Sequence, residues 1–220
     1  VGVVGLYGTW RLGRALAGPR VGLLALVMLT LHPVWYGHMF NNPKDEPFAV
    51  AYVWSLCFMV EAIAALPRPS RATMIKLAVA IGLALGVRIA GLVLLCYLGL
   101  VLALFAAHAG WVRRSVDAGL AHLRRAFAIG LKVAAGAWVV MLIGWPWAQL
   151  DPIRRPFVAL RRMSKFDAHE RRMPFAGEDV WNYDIGREYL PHYFGLQTPE
   201  LVLGLLGLGT IWGLAALVRG

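Results

Sequence analysis

The sequence predicts an all-α protein: a polytopic bundle of transmembrane helices with one long non-cytoplasmic loop. Three observations predict it. The 220 residues are 59% hydrophobic and only 15% charged, with a mean hydropathy of +0.62; soluble domains average nearer half apolar and a quarter charged. The apolar residues form continuous runs, not the weak alternation of a membrane β-barrel. The basic residues gather in short segments between those runs, as the positive-inside rule describes. Nine Trp and seven Tyr suit aromatic belts at the membrane surfaces.

Crossing a hydrocarbon core of ~30 Å takes roughly 20 apolar helical residues. The candidate membrane segments are a stub over 1–7, then 21–37, 48–66, 77–87, 90–108 and 126–147, and, after a non-cytoplasmic loop over 148–198, a last helix over 199–218. The division at Arg88 carries the argument. As one helix, 77–108 would run to ~48 Å, too long for one ordinary span, and Arg88 interrupts it in LALGVRIAG. If the chain crosses twice and turns at Arg88, all the basic segments fall on one side. These are Arg11, Arg14 and Arg20; Arg68, Arg71 and Lys76; Arg113, Arg114, Arg124 and Arg125; and Arg219, with Asp117 as the single acid among them. A single crossing would scatter them over both faces. The stretch 148–200 carries eight basic and eight acidic residues. The net charge of +10 is therefore a topology signal and not a nucleic-acid footprint.

Three polar elements then meet on the non-cytoplasmic side. The first is NNPKDEP, residues 41–47. Asn41, Asn42 and the prolines suit a turn, and Asp45 and Glu46 complement the dipole at the start of a helix. The same residues, with Lys44 and the preceding His38, can instead form the wall of a polar site, because ionisable groups near membrane depth are functional candidates by default. The second is Arg88. It is either a snorkelled helix end or a phosphate ligand, since a guanidinium matches phosphate oxygens bidentately. The third is the long loop. It opens on the interfacial cluster Trp145, Pro146 and Trp147 and continues as PIRRPFVALRRMSKF. There Ile153, Phe157, Leu160 and Ser164 share one helix face and Arg154, Arg155, Arg161 and Arg162 lie largely on others, the pattern of a helix lying flat on a membrane. A connection this long favours a binding loop or lid.

His38, His169 and His192 also fall on that side, without helical metal-ligand spacing between any two. Asp45 and Glu46 could ligate a divalent metal, but the sequence shows no complete ligand set. Cys57 and Cys96 lie in apolar runs and read as small core residues. Gly82 with Gly86, and Gly209 with Gly213, read as close-packing pairs. No signal peptide is visible. VGVVGLY at the start reads as the tail of an apolar run, so the sequence is expected to be a piece of a longer protein.

HPVWYGHMFNNPKDEPF, residues 32–48, resembles the second outer loop of membrane glycosyltransferases of the GT-C superfamily. The resemblance is closest to bacterial relatives of the dolichyl-phosphate-mannose protein mannosyltransferase and aminoarabinose transferase family. KLAVAIGLALGVRIAGLVLL, WPWAQLDPIRRPFVALRRMSKF and YLPHYFGLQTPELVLGLLG are similar, in order, to that family's paired short helices, the start of its long outer loop and the loop's return. The resemblance implies transfer of a sugar from a polyprenyl-phosphate donor to a glycan, lipid or protein acceptor on the non-cytoplasmic face of a bacterial inner membrane. It implies that Asp45 is a supporting acid and that Lys44, Arg88, Arg161 and Arg162 hold donor phosphate. His38, Asn41, Asn42 and Glu46 would wall the site. The family's main catalytic acid lies in its first outer loop, expected to precede Val1. The rival expectations are a transporter or flippase of a lipid-linked or anionic solute, and a non-enzymatic membrane subunit.

Overall fold

The structure, a computed structural model, describes residues 1–164 and 171–219. His169 lies outside the described residues. The elements run α1 (Gly2–Ala17), α2 (Pro19–Thr30), α3 (Pro33–Asn41), α4 (Asp45–Ala64), α5 (Arg71–Val87), a 3-10 turn (Ile89–Gly91), α6 (Leu92–Arg113), α7 (Val116–Ile143), α8 (Pro146–Gln149), α9 (Arg154–Ser164), β1 (Arg172–Phe175), β2 (Glu178–Trp181), α10 (Tyr189–Gln197) and α11 (Glu200–Arg219). The protein is all-α apart from one small hairpin. Three helices, Asp45–Ala64, Ile89–Val112 and Gly119–Ile143, are long and apolar enough to cross a membrane. The number rises to five if the bent pairs α2–α3 and α10–α11 each count as one span.

Contacts between helices set their directions. Gly82 faces Ala137 and Val140, and Gly136 faces Ala78, so α5 and α7 run parallel. Gly110 faces Gly119, and Gly130 faces Leu102, so α6 runs antiparallel to α7. The chain therefore reverses at Arg88. Gly5 lies against Val50 and Gly8 against Trp54, which makes α1 parallel to α4. The core lies among α4–α7, with Leu77, Ile81, Leu85, Leu94, Val133 and Met141 all buried. A Cβ on Gly82 would come within 2.5 Å of the Val140 Cβ and 2.6 Å of the Ala137 carbonyl. Only glycine lets α5 and α7 approach this closely. Cys57 is buried in this packing, whereas Cys96 is exposed.

Outward faces are apolar as well. Leu100, Leu104, Phe127, Leu131 and Ile143 are all exposed. A soluble monomer rarely presents so much contiguous apolar surface, and a bilayer matches it.

Several boundaries differ from the sequence reading, each for a local reason. The helix beginning in 1–7 continues to Ala17, because the Arg11 side chain finds partners along α4: an ion pair with Glu61 and the rings of Trp54 and Phe58 at 5.5 and 5.6 Å. The run 21–37 is two helices bent by 64°. Pro33 lacks the N–H that would continue α2, and it starts α3 at its first position instead. The last long helix inside the bundle starts at Val116, ten residues before the expected 126. Gly209 and Gly213 of α11 meet nothing within 4 Å, so no packing uses that pair among the described residues.

One end of the bundle gathers the start of α1, the α3–α4 turn, the turn at Arg88, the end of α7, and α8 with α9. The other end gathers the α1–α2, α4–α5 and α6–α7 turns, where Arg20, Arg68 and Arg114 lie.

Candidate functional site

The α3–α4 turn is built around Asn42. Its Oδ1 accepts from the backbone N–H of Asp45 at 2.8 Å and of Lys44 at 3.2 Å, so the side chain replaces a backbone turn. Its Nδ2 donates to Asp45 Oδ2 at 3.0 Å and lies 3.4 Å from His38 Nδ1. One amide thus shapes the turn and holds the Asp45 carboxylate. Asp45 then opens α4, with Glu46 beside it in the first turn.

Arg88 reaches the same carboxylate from a different part of the chain. The α5 helix ends one residue before it, and Arg88 takes an extended backbone with φ −144° and ψ 129°. The following 3-10 turn folds tightly back: a Cβ on Gly91 would stand 2.8 Å from the Leu85 nitrogen. This reversal delivers Arg88 Nη2 to 2.9 Å from Asp45 Oδ1. That oxygen is closed off from solvent and has no well-directed hydrogen bond, so the guanidinium meets it as a charge. Both side chains remain about two-fifths exposed.

Behind the ion pair lies a cavity of about 260 Å³ under the α2–α3 bend, lined by His32, Trp35, His38, Asp45 and Glu46. Glu46 is only 4% exposed. Its Oε1 atom and the Trp35 Nε1 atom are both buried without a hydrogen-bond partner. Such groups are rare in folded proteins, since an unmet buried polar atom forfeits its hydration.

α9 closes the same end of the bundle and packs on the turn that follows Arg88. Pro156 is fully buried. Trp138 Nε1 donates to the Pro152 carbonyl at 3.1 Å, and Arg155 Nη1 donates to the Trp147 carbonyl at 2.8 Å. Arg161 and Arg162 stand exposed in its last turn.

The fold therefore brings Asp45, Arg88, Asn42, His38 and Glu46 together. Asn41 and Lys44 sit on the same turn with exposed side chains. Arg161 and Arg162 share the end of the bundle but are not among the residues lining the cavity. His192 belongs elsewhere, with its ring 5.2 Å from Phe175 in an aromatic cluster on the hairpin. Among the described residues no three His, Cys, Asp or Glu side chains converge as a metal site. Trp35 and His32 were not singled out from sequence. The bend at Pro33, which turns them towards α4, was the available signal. Family models, curated proteins and solved structures yield no match to this chain.

Proposed function

We propose that the chain is part of a membrane glycosyltransferase that moves a sugar from a polyprenyl-phosphate donor to an acceptor hydroxyl. One observation carries this reading: the Asp45–Arg88 contact at 2.9 Å, which joins two polar turns far apart in sequence at one end of an otherwise apolar bundle. Arg88 supplies the cation for a donor phosphate, and Asp45 sets its orientation. The apolar outer surface lets a lipid-linked donor approach laterally from the bilayer.

In the transfer, the acceptor oxygen bonds to the anomeric carbon while that carbon's bond to the phosphate oxygen breaks. The polyprenyl phosphate leaves with the electron pair, and the acceptor proton passes to a carboxylate base. A fixed guanidinium stabilises charge developing on the leaving phosphate. Lys44, Arg161 and Arg162 add positive potential at the same end, and α9 is placed to shield the site from water. The non-cytoplasmic orientation of this end belongs to the proposal and follows from the basic turns at the opposite end.

The test uses the whole gene product in liposomes with radiolabelled polyprenyl-phosphate sugar. Donor consumption by the wild type, reduced in both Asp45→Asn and Arg88→Ala without loss of folding, is the expected result. Undiminished consumption in both variants would overturn the placement of the site. Transport of a labelled solute with no transfer product would overturn the reading itself.

A further inference from the structure

The cavity under the α2–α3 bend has chemistry the donor site does not use. Its wall holds two buried polar atoms that lack partners, Glu46 Oε1 and Trp35 Nε1. A carboxylate oxygen only accepts hydrogen bonds and an indole N–H only donates. A ligand that meets both must donate and accept at neighbouring points. An ammonium ion only donates, and a phosphate dianion only accepts. A hydroxyl does both, and a ring of hydroxyls does so repeatedly. His32 and His38 line the same cavity, and a neutral imidazole offers one donor and one acceptor. Leu29, Val34 and Ala49 complete the wall with apolar surface, which suits the C–H face of a sugar. At about 260 Å³ the cavity lies just below the range of about 300–1,000 Å³ of drug-sized sites, which limits it to about one ring.

We propose that this cavity is a saccharide-hydroxyl subsite, in which Glu46 accepts from and Trp35 donates to the hydroxyls of one sugar unit of the acceptor. Asp45 connects the two sites, because it lines the cavity while one of its oxygens faces Arg88. Donor phosphate on the Arg88 side and acceptor hydroxyl on the Glu46 side would then flank one carboxylate. The assignment to the acceptor rests on the glycosyltransferase reading; the hydroxyl chemistry of the cavity stands without it.

The experiment places the whole gene product in nanodiscs and follows methyl β-D-glucopyranoside by saturation-transfer NMR. Wild type is compared with Glu46→Leu and Trp35→Phe. Each variant removes one orphan atom and nearly preserves volume. The expected result is sugar binding weakened about tenfold or more in both, the loss expected when a buried hydrogen bond to a charged or fixed partner is removed. Ethanolamine and inorganic phosphate should not displace the sugar. Stability gives an independent readout: Glu46→Leu should raise the melting temperature, since it removes a buried carboxylate oxygen without a partner. Sugar binding unchanged in both variants, or displacement by ethanolamine, overturns the proposal. So does a fall in melting temperature for Glu46→Leu with binding unchanged, which would make Glu46 structural. Donor hydrolysis without acceptor separates the two readings. It should persist within about threefold in Glu46→Leu, whose lost contact lies outside the phosphate site. Wild-type protein that binds the sugar but consumes no donor would sink the glycosyltransferase reading alone.

Discussion

Two ion pairs join different helices in this protein, and they are finished very differently. Arg11 and Glu61 link α1 to α4 about a third exposed, and the guanidinium also lies over the rings of Trp54 and Phe58. Asp45 and Arg88 link α4 to the turn after α5, more open and without surrounding rings. Beside the first pair no buried polar side-chain atom is left unmet among the described residues of α4. Beside the second, Asp45 Oδ1, Glu46 Oε1 and Trp35 Nε1 are all buried without hydrogen bonds. Structural pairs tend to be satisfied on all sides, and functional sites keep polarity in reserve. The first pair is a strut between helices. The second is half of a site.

The strongest way to break this comparison is to swap what each pair controls. Asp45→Asn and Arg88→Ala are expected to lower donor consumption about 100-fold or more, the scale of losing one preorganised charge at a reacting phosphate. Their melting temperature should move little, since exposed pairs contribute about 0–1 kcal/mol. Liposome assays paired with thermal unfolding check both halves. Gly82→Val attacks packing alone. Its side chain must displace Val140 or the Ala137 carbonyl, and overpacking of this kind costs about 1–3 kcal/mol. Gly209→Ala on α11, with open space around it, should stay within about 0.5 kcal/mol. Arg11→Ala is expected to cost about 1–2 kcal/mol, combining a part-exposed pair with lost ring contacts. Donor consumption should be nearly unchanged at a temperature where the variant is folded. If Arg11→Ala abolishes activity while Arg88→Ala spares it, the roles of the two pairs are reversed.

The all-α class was legible because it needs only composition and continuous apolar runs. The reversal at Arg88 was legible too: a charge inside an apolar run of excess length leaves few alternatives. Asp45 and Arg88 were each visible as misfit polar residues, but not as partners, since nothing local in either stretch encodes a contact across 43 positions of chain. Glu46 was visible as an acid, but its burial depends on how α1 and the α2–α3 bend close over it. The glycine stripe of α1 was missed. Gly2, Gly5 and Gly8 are all buried against neighbouring helices, and their spacing in GVVGLYG was a readable sign of close packing. The hairpin of β1 and β2 was missed because its turn is Ala176–Gly177, both at positive φ. Such turns favour Asn-Gly or Asp-Gly, and Ala-Gly carries little of that signal.

The smallest expected effect concerns α9, and it sharpens the boundary of the site. Arg154, Arg161 and Arg162 lie within about 80° of one another around this helix at ~100° per residue, roughly opposite the buried Pro156. This ridge faces away from the bundle, and Ile153 and Phe157, both exposed, flank it on one side. A helix so arranged sits where head groups meet acyl chains. Its arginines should act on the donor through general positive potential, without the directed contact that Arg88 provides. Arg161→Gln together with Arg162→Gln is then expected to raise the donor concentration at half-maximal rate by about threefold to fivefold, equivalent to about 1 kcal/mol, with the maximal rate unchanged. The effect should fade as salt is raised, because exposed charges are screened over about 10 Å at 0.1 M. The Arg88→Ala defect should persist under the same salt. A double variant as damaging as Arg88→Ala, and equally insensitive to salt, would move α9 from the rim of the site into direct contact with the phosphate.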